Sequence, residues 1–210
     1  VKVVGGVGVA MIALHNLFDR FQVPPETAFM GTPAPDLSQI MILVFHQQGV
    51  VPIPGTSGVF VAYPLIPWIG VMAAGYAFGT LYAQERDQRR KWLMLLGVTM
   101  TLLFVVIRLT NAYGDPSAWA AQDTSGFTFL SFVNTTKYPP SLLFLLMTLG
   151  PAMLALALTD RIDGKAIWER ICITFGRVPM FFYILQWFTA HLAGVLLSWL
   201  AGKDISSFFG

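Results

Sequence analysis

A single cysteine, Cys172, stands in 210 residues, so the chain can form no internal disulfide and shows no cysteine-based metal-ligand spacing. Charge is scarce as well. Only 11% of residues are Asp, Glu, Lys or Arg, and the formal net charge is +2. That balance gives no electrostatic ground for a nucleic-acid partner, so the positions of the basic residues matter more than their sum. No metal site is expected from this residue set. What fills the space left by charge is apolar: 55% of residues are hydrophobic and the mean hydropathy is +0.64. Such a composition belongs to an integral membrane protein rather than to a soluble domain.

Crossing the hydrocarbon layer takes about 20 mostly apolar residues. Five stretches are expected to do so: Val3 to Leu17, Val59 to Ala83, Trp92 to Tyr113, Ser141 to Thr159 and Pro179 to Ala201. A sixth apolar piece, Leu37 to Val51, is interrupted by His46, Gln47 and Gln48 and bounded by prolines, and reads as an interfacial or re-entrant helix. The expected fold is therefore all-α and integral to the membrane. It is a polytopic helical bundle of about five transmembrane helices plus one interfacial or re-entrant helix, in a single transmembrane domain spanning residues 1 to 210. The opening "VKVVGGVGVAMIALHNLF" lacks a small-residue cleavage pattern, and it reads as a helix entered part-way along a longer protein rather than as a signal peptide.

Lysine and arginine are held on the cytoplasmic side during insertion. Arg86, Arg89, Arg90 and Lys91 fall on one side of alternating spans, together with Arg161, Lys165, Arg170 and Arg177; the opposite loops hold Arg20, Lys137 and Lys203. The basic loops are thus expected in the cytoplasm, with segments 18 to 58, 114 to 140 and 202 to 210 facing outward, as in a bacterial inner-membrane protein. "GGVGV" near the start is read as packing glycines, because no strand precedes it to make a dinucleotide loop. Gly75 and Gly79 form a small-xxx-small pair suited to close helix contact.

Polar residues in such a chain each need a reason. His15 and Asp19 lie four apart at the outer end of the first span with Asn16 between them. An aspartate so placed would fix the tautomer of His15 and raise its basicity, as a general base requires, unless the pair simply snorkels to water. Arg108, with Asn111 three residues on, either binds an anionic group with its planar fork or neutralises Asp19 or Asp115. Tyr183, Gln186 and His191 on the last span are read as interhelical hydrogen-bonding groups, and His46 as a surface histidine. The cluster Arg86 to Lys91 follows from topology alone, although it would also steer a polyanion such as coenzyme A.

"TKYPPS" opens an apolar run with a lysine, a tyrosine and two prolines. Pro139 and Pro140 suit a helix start, where amide hydrogens have no partner, and Lys137 and Tyr138 suit the interface. "VAYPLIPW" places Tyr63 and Trp68 in a similar aromatic and proline setting at the same end. Two such starts suggest a shaped outer vestibule.

"LHNLFD", "AYPLIPWIGVMAAGYAFG", "TKYPPSLLFLLMTLGP" and "FGRVPMFFYILQ" occur in an order that closely resembles the bacterial membrane family grouped with heparan-alpha-glucosaminide N-acetyltransferase. The resemblance implies a polytopic acyltransferase that moves acetyl from cytosolic acetyl-CoA, its donor substrate, to a sugar-type acceptor across the membrane. The region that carries the family's catalytic histidine, near an arginine-glycine motif in the N-terminal helices, has no match here. The chain therefore resembles the C-terminal part of that domain, with those N-terminal helices as its expected partner beside the lipid bilayer, and His15 does not inherit the role by resemblance.

On the residues themselves, His15 and Asp19 are the candidates for proton transfer. Asn16, Tyr63, Trp68, Arg108, Asn111, Lys137 and Tyr138 are the candidates for substrate binding. Two other readings stay open: a transporter or flippase of a lipid-linked or sugar substrate, and a non-catalytic membrane scaffold. Homo-oligomerisation is compatible with all three.

Overall fold

A computed structural model describes residues 1–162, 164–204 and 206; segment 202 to 210 lies largely outside the described residues. The described chain is mostly helical and divides into two compact units, Val1–Asp160 and Arg161–Gly210.

Unit 1 begins with α1 (Lys2–Leu14), which tightens into a 3-10 helix over His15–Phe21. Two short helices follow, α2 (Pro25–Met30) and α3 (Leu37–Phe45), then a hairpin of β1 (Gly49–Val51) and β2 (Val59–Val61) paired antiparallel. α4 (Leu65–Phe78), α5 (Arg86–Thr110), α6 (Ser125–Val133) and α7 (Leu142–Thr159) complete it. Unit 2 holds α8 (Ile167–Arg177) and α9 (Pro179–Leu200). Among the described residues, five helices are long and apolar enough to cross a membrane: Lys2–Phe21, Leu65–Ala83, Arg86–Thr110, Leu142–Thr159 and Pro179–Leu200.

Three expectations need correction. Val59 to Val61 pair as a strand, so the second long helix starts at Leu65, where Pro64 and the left-over polar "GTSG" before it end any earlier helical run. The piece Leu37 to Val51 is a helix only as far as Phe45 and then a strand. Helices α2, α6 and α8 lie outside the expected helices; each is short, and α6 is started by Thr124, whose hydroxyl accepts from the Phe127 amide at 3.2 Å.

Helix α1 packs on α4 through its glycines. A Cβ on Gly8 would come within 2.6 Å of the Ala74 amide nitrogen and 2.8 Å of the Gly70 carbonyl oxygen, and one on Gly5 within 2.5 Å of the Ala77 methyl. The packing role expected of "GGVGV" is therefore met, since only hydrogen side chains let these backbones approach. Gly75 and Gly79 have open space beside them instead, so that pair is not the contact it was expected to be. Helix α5 packs on α7 in the same manner, with Gly97 against Leu154 and Gly150 against Thr101. Phe104, Leu143 and Leu146 form the buried seam. At the other end of this pair, Arg89 donates from Nε and Nη2 to both oxygens of Asp160, at 2.9 and 3.1 Å, and Arg90 donates to the Ala157 carbonyl. Part of the basic cluster thus ties α5 to the C-terminal end of α7, where a helix dipole favours cations.

The segment between α1 and α4 has its own small core of Val23, Ala28 and Leu43. Asp36 and Gln39 start α3 with a reciprocal capping box, side chain to amide in both directions. Gln47, after α3, clasps Val23 through both its amide groups at 2.8 and 2.9 Å. These glutamines serve backbone groups that the irregular chain leaves over.

Candidate functional site

The 3-10 turn after α1 carries the first cluster. His15 and Asn16 are buried there, and so is His46, which follows α3. His46 Nε2 lies 2.8 Å from Asp19 Oδ1, and Asn16 Nδ2 donates to Asp19 Oδ2 at 2.8 Å. The carboxylate accepts from Nε2 of His46 and so fixes the orientation of that ring. The rings of His15 and His46 face each other obliquely with centroids 5.6 Å apart, and Phe18 closes on His46 at 5.8 Å.

Two corrections follow. His46 is a core histidine, 2% exposed, rather than a surface one. Asp19 serves His46 and Asn16 rather than fixing the tautomer of His15, because the 3-10 turn replaces the i to i+4 register of an α-helix. No local signal in the sequence marks His46 as buried, because it lies just past the end of α3 and its burial comes from packing against residues of the 3-10 turn.

Hydrogen bonding at this cluster is incomplete. Both nitrogens of His15 and Nδ1 of His46 are buried without a hydrogen-bond partner, although the Pro140 backbone is close enough to act on the His15 ring. Buried polar atoms in native proteins nearly always have partners, so these three nitrogens on two facing rings stand out, although neither the groove along α6 nor the groove on α8 includes them. No three His, Cys, Asp or Glu side chains among the described residues are arranged to hold a metal ion.

Arg108 sits in a second cluster and is 1% exposed. Nε donates to the Phe132 carbonyl at 2.9 Å and Nη1 to Ser117 at 2.7 Å, while Nη2 serves Ser131 and Asn134 at 3.1 and 2.7 Å. Four of its five donors are thus spent on backbone. No ion pair of Arg108 with Asp19 or Asp115 is formed among the described residues; the guanidinium gathers the loop after α5 and the C-terminal end of α6. Asn111, in the left-handed conformation with φ 50°, exchanges two hydrogen bonds with the Trp119 backbone and likewise shapes that loop.

Asp115 explains the "YGDP" and "TKYPPS" segments together. Its carboxylate accepts from the Thr136 amide and hydroxyl at 2.7 and 2.9 Å, from the Ser141 hydroxyl at 2.6 Å and from the Ser117 amide at 2.9 Å. Ser141 in turn accepts from the Phe144 amide and caps α7. Asn16 Oδ1 accepts from the Leu142 amide at 2.9 Å, which ties the histidine cluster to the same helix start. The Tyr113 hydroxyl donates to the Ala13 carbonyl at 2.6 Å, and burial pushes that phenol up from its ordinary value.

Beside this knot the aromatic residues do meet. The Tyr63 ring lies edge-on to Trp68 at 5.4 Å and to Tyr138 at 6.1 Å, and Lys137 Nζ stands 5.0 Å from the centre of the Tyr138 ring. Trp68 Nε1 is buried and has no partner. Tyr63 and Tyr138 are exposed, so the group is open on one side. A separate groove of about 600 Å³ runs along α6, lined by Gln122, Phe127, Leu130 and Ser131, and contains none of these residues. Tyr183, Gln186 and His191 lie on exposed positions of α9 in unit 2.

No family model, no curated protein and no solved structure matches the chain.

Proposed function

We propose that the chain works as part of a membrane acyltransferase of the kind its motifs resemble, taking acetyl from cytosolic acetyl-CoA to a sugar-type acceptor on the far side. The observation that supports this most is the pair of buried imidazoles with three unpartnered nitrogens, one imidazole being oriented by Asp19. A neutral imidazole with a free lone pair is the group that general-base chemistry needs. In this reading the five apolar helices span the bacterial inner membrane with the basic loops in the cytoplasm.

His15 takes the proton from an acceptor hydroxyl or amine as that atom bonds to the acetyl carbon. The carbon–sulfur bond of the thioester breaks, and the thiol leaves with the electron pair and regains a proton. The Asp19 carboxylate, which orients His46, is the nearby negative charge that favours the imidazolium formed on His15. Tyr63, Trp68 and Tyr138 offer ring faces and one indole N–H to the acceptor, and Lys137 supplies positive charge at the rim.

Thermal stability of the purified protein in detergent, with acetyl-CoA and with free coenzyme A and ATP as controls, tests the reading. A selective, saturable rise of about 2.7 kcal/mol at a hundredfold excess over Kd is the expected outcome for a ligand of the native state. Folded protein that shows no shift at millimolar acetyl-CoA overturns it. A transporter is the second reading, favoured by the buried polar residues of the 3-10 segment His15–Phe21 that ends the first long helix, since irregular helix segments commonly line substrate sites in transporters. Ligand stabilisation by the acceptor alone, without acetyl-CoA, would select it.

A further inference from the structure

Helix α8 carries charge and apolar surface in an arrangement that nothing in the acyl-transfer reading uses. At about 100° per residue, Ile167, Trp168, Ile171 and Phe175 fall on one side of it. All four are exposed, at 70%, 55%, 49% and 47%. Arg170 and Arg177, seven residues apart, lie together along one flank of that face. Both are exposed, and neither takes part in an ion pair among the described residues. The one acidic residue of the helix, Glu169, is turned to the helix start, where its Oε2 accepts from the Ala166 amide at 3.1 Å. Among the described residues of α8, the exposed charge beside the apolar face is therefore positive only.

A shallow groove of about 410 Å³ brings the two kinds of surface together, lined by Ile167, Arg170, Ile171, Thr174 and Phe175. Its occupant must present both hydrocarbon and negative charge. Position within unit 2 points the same way. Val178 breaks the helix with φ −127° and ψ 50°, and Pro179 starts α9 immediately, so the C-terminal end of α8 is held where a long apolar helix begins. A short helix with an apolar face, a cationic flank and a tryptophan, placed there, lies in an interface rather than across it.

We infer that α8 is an interfacial helix that binds anionic phospholipid of the cytoplasmic leaflet, with the acyl chains against Ile167, Ile171 and Phe175 and the phosphate at Arg170 and Arg177. This rests on the bilayer-spanning part of the proposed function but not on its chemistry.

Cys172, the only cysteine of the chain, is exposed on α8 and accepts a nitroxide label without further change. The full chain, labelled there, is reconstituted into nanodiscs of phosphatidylcholine alone or with one quarter phosphatidylglycerol, and collision of the label with oxygen and with a water-soluble nickel chelate is measured. The expected result is a label shielded from the chelate and open to oxygen, more so with phosphatidylglycerol, the difference fading as salt is raised. Joint R170Q and R177Q substitution should weaken the preference for the anionic lipid by about thirtyfold, as two surface cations would provide. A label equally open to the chelate in both lipids, or shielded from chelate and oxygen alike as inside a protein contact, overturns the inference. The same label at Ala190→Cys in a Cys172→Ala chain separates the two failures. Lipid exposure at 190 with a water-exposed α8 sinks this inference alone, whereas a water-exposed 190 sinks the bilayer reading beneath it.

Discussion

Two buried polar clusters in the first unit differ in how fully they are satisfied. Arg108 spends four donors on carbonyls and the Asp115 carboxylate accepts four hydrogen bonds, whereas His15 and His46 together leave three ring nitrogens without a partner. Both clusters contain residue types commonly found in active sites, so residue type alone does not separate them. A nearly saturated cluster has little capacity left for a ligand and acts on stability. An unsaturated one holds a cost that a ligand or a proton can relieve.

The sharpest way to break this contrast is to empty the saturated cluster. Arg108→Met should destabilise the fold by on the order of 4 kcal/mol, because several carbonyls lose their donors inside the protein. Arg108→Lys should recover little, since an ammonium cannot reach the same carbonyls as a planar fork. Thermal melts in detergent read both.

His15→Leu should do the opposite. Removing two unpartnered nitrogens should leave the melting temperature near wild type, while acetyl transfer by the complete protein should fall by about 10²–10⁴-fold if His15 is the base. A melting temperature as low as that of Arg108→Met would show that the two clusters are alike and would remove the ground for treating one as a site. Asp115→Asn comes next. It trades two acceptor oxygens for one and should cost about 2 kcal/mol, with the loop at 114 to 117 and the start of α7 gaining hydrogen exchange together.

The smallest effect concerns Tyr113. Its phenol is held neutral by burial, so the stability it contributes is present at neutral pH and is lost as pH rises through and above the ordinary phenol range. Tyr113→Phe should flatten that alkaline loss, seen as a weaker pH dependence of the melting temperature.

Much of the fold was legible from the chain itself, but unevenly. Apolar runs near the length of a bilayer crossing marked five long helices, and Ser141 after the paired prolines marked the start of α7. The strand at Val59–Val61 was not legible, because three apolar residues next to a longer apolar run carry no period of their own. The aromatic group was partly legible: Tyr63, Trp68, Lys137 and Tyr138 were picked out on their proline settings, and they do lie together. Arg108 and Asn111 were picked out on residue type and turned out to serve the backbone.

Composition and local spacing by themselves determined the long helices, the Ser141-capped start of α7 and the glycines that let α1 meet α4. Those features depend on neighbours within a turn or two, and the order of residues records them. Tertiary structure alone decided that Asp19 would orient His46, 27 residues away, rather than His15, four residues away. It also decided that Arg108 would find four carbonyls to fill its fork. Hydrogen bonds between distant segments depend on which groups the packed backbone brings within 3 Å, and no local pattern encodes that.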